Sequence, residues 1–182
     1  MQFTTDTNGR SVDGVYAKTF YIPIPLASLR EATSNDIPAI ATVVGGILTK
    51  DSTPNLEFTN GDTDSAIRLD WASSNSDAVT FQTALPGDID TGQPLYVDFY
   101  ADSAGATDTP VLSLDTFFNV GDTKVEDDTG AVGATPAVVT ATIAAADIPH
   151  APFLTMSVEV TPGAHTTDAL YVYGIQIRGT RL

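Results

Sequence analysis

Leu154-Thr155-Met156-Ser157-Val158-Glu159-Val160 alternates apolar and polar side chains, and so does Ala169-Leu170-Tyr171-Val172-Tyr173-Gly174-Ile175-Gln176-Ile177-Arg178. A period of two is the mark of a strand with one buried face. On this reading Leu154, Met156, Val158 and Val160 oppose Thr155, Ser157 and Glu159. Ala169, Tyr171, Tyr173, Ile175 and Ile177 share a face against Gln176 and Arg178. The intervening Pro162-Gly163-Ala164-His165-Thr166-Thr167-Asp168 is turn chemistry. The two segments are therefore expected to form an antiparallel pair with one dry and one wet side.

The same logic extends along the chain. Leu95, Val97, Phe99 and Ala101 alternate with Tyr96, Asp98 and Tyr100. Leu112, Leu114 and Phe118 alternate with Ser113 and Asp115. Ile67, Leu69 and Trp71 alternate with Arg68 and Asp70, which places the single tryptophan in the core. Val79 with Phe81, and Ala137 through Ile143, complete the set. Residues 15–24 are apolar on both sides and read as a central strand closing on Pro23 and Pro25. Helix is scarce: residues 26–33 allow a turn or two with Ser28 as a cap. Residues 36–48 fit helix or strand, and Ala144-Ala145-Ala146-Asp147-Ile148-Pro149 reads as one turn ended by proline. The expected fold is all-β, a two-sheet antiparallel β-sandwich, a jelly roll of about eight strands. Residues 1–14 read as an extended N-terminal arm and 15–182 as a single domain. Residues 119–136 read as a long acidic loop.

Eight basic residues face 23 acidic ones, a formal net charge of −15. That balance repels nucleic-acid phosphates and anionic membrane surfaces, so neither is an expected partner. No cysteine is present, which removes disulfides, thiolate nucleophiles and Cys-ligated zinc. The first residues show no basic and apolar leader, so synthesis in a cytoplasm is expected.

Catalysis finds little to work with. His150 and His165 read as exposed loop residues, and no Gly-x-Ser-x-Gly occurs. Of the 23 acids, 19 are aspartates scattered through turns, where backbone chemistry favours them, so no carboxylate pair stands out. The chain is therefore not expected to be an enzyme. Calcium is the best metal candidate, at Asn60-Gly61-Asp62-Thr63-Asp64 or Glu126-Asp127-Asp128, but the first lacks an EF-hand glutamate. No cofactor or metal is expected. Tyr96 and Tyr100 lie opposite in phase to their apolar neighbours. They form an exposed aromatic strip for a sugar, or they pack a second sheet or a subunit interface.

A family resemblance rests on Tyr21-Ile22-Pro23-Ile24-Pro25-Leu26, Leu29-Arg30-Glu31-Ala32-Thr33-Ser34-Asn35-Asp36-Ile37, Gly45-Gly46-Ile47-Leu48, Asp51-Ser52-Thr53-Pro54 and Arg68-Leu69-Asp70-Trp71-Ala72. It continues through Pro94-Leu95-Tyr96-Val97, Phe117-Phe118-Asn119-Val120-Gly121-Asp122-Thr123, Ile143-Ala144-Ala145-Ala146-Asp147-Ile148-Pro149 and Thr161-Pro162-Gly163-Ala164-His165-Thr166-Thr167-Asp168-Ala169-Leu170. In order and spacing these stretches resemble jelly-roll capsid decoration (cement) proteins of tailed bacteriophages. The resemblance implies a virion structural protein on the outer surface of the assembled head. It would be a homotrimer that binds the major capsid protein and stabilises contacts between capsid subunits. Phe3, Arg10, Tyr96 and Tyr100 are the candidate capsid or subunit contacts, with Phe3 and Arg10 on an arm reaching about 46–50 Å when extended. The alternative reading is a receptor- or glycan-binding β-sandwich module of a tail fibre or similar assembly.

Overall fold

The strands of the core, Leu95–Ser103, Leu112–Phe118 and Thr155–Pro162 among them, follow an alternation of inward apolar and outward polar side chains. The computed structural model describes residues 4–5, 11–12, 18–32, 37, 44–60, 65–151 and 153–182. Among these the strands are β1 (Thr4–Thr5), β2 (Ser11–Val12), β3 (Lys18–Ile24), β4 (Arg30–Ala32), β5 (Asn55–Asn60), β6 (Ser65–Trp71) and β7 (Ala78–Ala84). They continue with β8 (Leu95–Ser103), β9 (Leu112–Phe118), β10 (Val125–Asp128), β11 (Ala137–Ile143), β12 (Thr155–Pro162) and β13 (Leu170–Arg181). One sheet has five strands in the order β10-β9-β12-β7-β4. The other has six, in the order β11-β8-β13-β6-β5, with β3 alongside the C-terminal half of β13. Every pairing is antiparallel. The fold is the expected all-β jelly-roll sandwich, with eleven strands in its two sheets rather than about eight. Among the described residues β1 and β2 pair only with each other.

The core lies between the sheets. Leu95, Val97, Phe99 and Ala101 of β8 face Leu114 and Phe118 of β9 and Val158 and Val160 of β12, all of them buried. Trp71 is wholly buried at the end of β6, as its phase requires. Ile67, two steps back on the same face, is 54% exposed, and the pairing of β6 with β13 stops at Leu69, short of it.

Several expectations fail for identifiable reasons. β12 and β13 are not a hairpin: they lie in different sheets. Their connection is longer than the two to five residues of most hairpin loops, and it carries the chain across the sandwich. Gly163 N–H donates to the Val111 carbonyl at 2.8 Å, and Asp108 accepts from the amides of Thr167 and Asp168 at 2.6 and 3.0 Å. Asp168 returns the arrangement, accepting from Thr107 and Asp108 at 2.8 and 3.0 Å. His165 sits inside this crossover and is only 3% exposed, not a surface loop residue. Its Nδ1 lies 2.8 Å from the Gly163 carbonyl oxygen and its Nε2 3.2 Å from that of Ala72.

β3 pairs with β13 alone among the described residues, and Tyr21 is 60% exposed, so this strand is an edge rather than the centre. Residues 26–32 hold a single 3-10 turn (Leu26–Ser28) and then β4, and residue 33 lies outside the described residues. Ser28 Oγ donates back to the Pro25 carbonyl at 2.7 Å instead of capping. The supposed loop at 119–136 contains β10, in register with β9 from Val125↔Thr116 to Asp128↔Ser113. Residues 145–147 form the one-turn helix expected before Pro149.

β13 packs closely against β8 and β3 at its inward glycine. A Cβ on Gly179 would meet Leu95 Cδ2 at 2.6 Å and Phe20 ring carbons at 2.8 Å. Gly179→Ala should lower stability by about 1–3 kcal/mol, the usual range for overpacking. Urea denaturation checks this, and a change below about 0.5 kcal/mol would mean that the Phe20 ring moves aside freely.

Candidate functional site

The outward face of the six-stranded sheet collects five of the chain's six tyrosines: Tyr21, Tyr96, Tyr100, Tyr171 and Tyr173. Tyr96 and Tyr100 were expected to point outward. Tyr171 and Tyr173 were expected on the face of Ile175 and Ile177, and they are not. The pairing of β13 with β8 slips between Val172 and Gly174. This bulge inserts one residue, so the side-chain phase reverses across it. Leu170 and Val172 point inward before it, and Ile175 and Ile177 after it.

On this face most polar groups are paired internally. Asp98, 6% exposed, accepts from Thr140 Oγ1 at 2.7 Å, Arg178 Nε at 2.8 Å and Gln176 Nε2 at 3.1 Å. Burial alone would raise its carboxyl pKa; the hydrogen bonds from Arg178, Thr140 and Gln176 outweigh that and hold it below the ordinary value. Tyr173 OH donates to Asp102 at 3.0 Å, and Arg68 Nε donates to Glu57 at 2.8 Å. The Arg178 guanidinium lies 3.9 Å from the centre of the Tyr96 ring and that of Arg68 lies 3.7 Å from the centre of Tyr171. Those two ring faces are therefore occupied by cations. Tyr100, 47% exposed, keeps an open face.

The five-stranded sheet presents the opposite arrangement. Its outward residues form two cross-strand rows, Arg30–Thr80–Glu159–Asp115 and Gln82–Ser157–Phe117. Short polar side chains make the floor, while Arg30 and Ile37 rise on one side and Phe117 and Asn119 on the other. The resulting groove holds about 560 Å³, inside the range of about 300–1,000 Å³ typical of ligand pockets. Thr80 Oγ1 donates to the Val158 carbonyl at 2.9 Å. Among the described residues, the Gln82, Ser157 and Glu159 side chains have no hydrogen-bond partner, and Arg30 donates only to the Leu29 carbonyl, at 3.0 Å. Burial raises the Glu159 pKa, repulsion from Asp115 adds to this, and Lys124 partly offsets it. The groove thus offers free donors and acceptors beside an aromatic wall.

The remaining sequence candidates are placed as follows. Phe3, Arg10, Asp62 and Asp64 lie outside the described residues. Glu126 and Asp128 are exposed on β10 while Asp127 points the other way, so the three carboxylates cannot converge on one ion. Among the described residues no group of three or more acidic or histidine side chains is placed to hold a metal. His150 is exposed and contacts Thr91 Oγ1 through Nδ1.

No family model matches the chain, and no curated protein matches it in sequence. Solved structures with a similar fold include the CBM36-1 domain of a multidomain xylanase from the hindgut metagenome of Trinervitermes trinervoides. It is 12% identical, with a TM-score of 0.42, over 88% of this chain and 96% of that one. The family 30 carbohydrate-binding module of a cellulosomal cellulase of Clostridium thermocellum is 12% identical, with a TM-score of 0.43, over 87% and 96%. TmCBM61, solved with β-1,4-galactotriose, is 10% identical, with a TM-score of 0.39, over 87% and 86%. At this identity the likeness concerns the β-sandwich fold alone, and no site residue is carried over from it.

Proposed function

We propose that the protein is a non-catalytic glycan-binding module that takes a short run of sugar rings in the groove of the five-stranded sheet. One observation carries this reading: Gln82, Ser157 and Glu159 line the floor with polar groups that no described residue satisfies, beside the ring of Phe117. Sugar hydroxyls are donors and acceptors at once, and an amide, a hydroxyl and a carboxylate answer both needs. The apolar face of a sugar ring packs on an aromatic wall, and Arg30 donates from the opposite side. The net charge of −15 disfavours uronate or sulfated chains, so the ligand class is a neutral glycan. Attachment to a phage head rests on the sequence resemblance alone.

The test is calorimetric titration with neutral gluco-, xylo- and galacto-oligosaccharides of three to six units. Phe117→Ala should weaken binding about tenfold, which is 1.4 kcal/mol and within the worth of an aromatic contact. Gln82→Ala and Glu159→Gln should each weaken it about three- to tenfold. Gln82 and Glu159 lie on the outward face with no hydrogen bond to lose among the described residues, so their substitution should hardly move thermal stability. Phe117, 36% exposed, gives up some buried ring surface, and its variant is compared at a temperature well below its midpoint. Absence of binding to every member of the panel, or binding indifferent to Phe117→Ala, would overturn the proposal.

A further inference from the structure

The bulge in β13 leaves a second hollow, on the other side of the sandwich. Gly174 pairs with Tyr100 and points outward, and a Cβ built on it would meet nothing within 4 Å. The depression above it holds about 270 Å³, walled by Tyr100, Val138, Pro23, Gln176 and Asp98. We propose that this depression is a second saccharide site, one ring wide, so that the module binds neutral glycans on both faces. The inference rests on the glycan reading above.

Three features select a sugar ring. Tyr100 is held at the rim by a tilted contact with Tyr173, centroids 5.7 Å apart, so its open face needs no ordering when a ring stacks on it. Asp98 is fixed by three donors, and a carboxylate has about four acceptor sites, so it can accept a further hydroxyl. Pro23 and Val138 complete the wall with apolar surface that suits the C–H face of a pyranose. On the outward face of this sheet the carboxylates Asp98, Asp102, Asp70 and Glu57 outnumber the guanidiniums of Arg68 and Arg178, which disfavours an acidic sugar. The volume is about half that of the groove, so a chain end or single residue fits rather than an internal run.

Filling the depression tests this without touching the groove. The Gly174 backbone is not in the left-handed region, and a side chain there points into open space, so Gly174→Phe should fold normally. Cello-, xylo- and galactotriose serve as probes, read by calorimetric stoichiometry and by the amide resonance of Gly174. Wild type should bind two ligands per chain and Gly174→Phe one. Phe117→Ala should keep the Gly174 shift while weakening the groove site about tenfold. Tyr100→Ser provides the same test if Gly174→Phe does not fold. A wild-type stoichiometry of one, with binding that Phe117→Ala weakens about tenfold and Gly174→Phe leaves unchanged, would overturn the second site and leave the groove reading standing. No binding at all would overturn both. Self-association that Gly174→Phe abolishes, with no shift on adding sugar, would overturn the site in favour of a subunit contact.

Discussion

Asp98→Ala is expected to cost about 3 kcal/mol of stability, toward the low end of the range of about 3–5 kcal/mol for breaking a buried ion pair from one side. The Asp98 side chain is 7% exposed, and its removal strands Arg178, Gln176 and Thr140 together. Arg178 retains 32% of its side-chain surface in water, which softens the loss and argues against the upper figure. The Arg178 head also stacks on Tyr96, so it keeps one contact without its carboxylate. In a domain of this size about 3 kcal/mol corresponds to a fall in Tm of roughly 6–12 °C. Asp98→Asn keeps an acceptor for Thr140 and loses the charge, so an intermediate cost of about 1–2 kcal/mol is expected. A cost below about 1 kcal/mol for Asp98→Ala would reduce the network to surface decoration.

The acid limb provides an independent check on the same residue. The folded pKa of Asp98 is lowered from 3.8, so its contribution is complete at neutral pH, above the unfolded value. It is lost as pH falls from about that unfolded value through the lower folded one. Asp70 and Asp102 shift the other way, both raised chiefly by burial, so their contribution grows in acid and blurs the wild-type profile. The difference between wild type and Asp98→Ala removes that background. It should be widest at neutral pH and shrink below pH 4, as followed by urea denaturation across the range. A difference that widened in acid would reverse the assigned direction of the Asp98 shift.

The residues around Asp98 also show what can be read from a sequence and what cannot. Residues 95–101 alternate without interruption, and every inward and outward assignment there agrees with the structure. In β13 the same reading counted back from Ile175 and Ile177 through the bulge and put Tyr171 and Tyr173 on the wrong face. A signal was present: an isolated glycine inside a strand pattern marks a bulge, and Gly174 supplies it. The crossover between β12 and β13 had a weaker signal in its length. Alternation reports which face of a strand is buried, not which strand lies beside it. The groove had no local signal at all. Arg30, Gln82, Phe117 and Glu159 are separated by dozens of residues, and only the order β9-β12-β7-β4 brings them together. Each is an ordinary outward polar or aromatic position on its own strand.

Trp71 is the residue whose environment the sequence placed best, and its truncation should be among the most damaging single changes in the fold. The indole is 0% exposed, and its Nε1–H donates to the Asp77 carbonyl at 2.8 Å. Its backbone pairs with Leu170, at the point where β13 enters the sheet. Trp71→Ala removes a large buried ring and leaves a cavity that a close-packed sandwich can only partly close, at about 3–5 kcal/mol. Against a total stability of about 5–15 kcal/mol, that is enough to bring a domain near the low end of the range close to its unfolding midpoint. Trp71→Phe separates the two parts of the loss. It keeps most of the packing and gives up the hydrogen bond; Asp77 is exposed, so water can reach its carbonyl, and the cost should be about 1–2 kcal/mol. Because Trp71 is the only tryptophan, both variants need far-ultraviolet circular dichroism rather than fluorescence to follow unfolding in urea. A cost below about 1.5 kcal/mol for Trp71→Ala would mean that the end of β6 opens easily. A cost for Trp71→Phe as large as that for Trp71→Ala would place the stabilisation in the Asp77 hydrogen bond rather than in the buried ring.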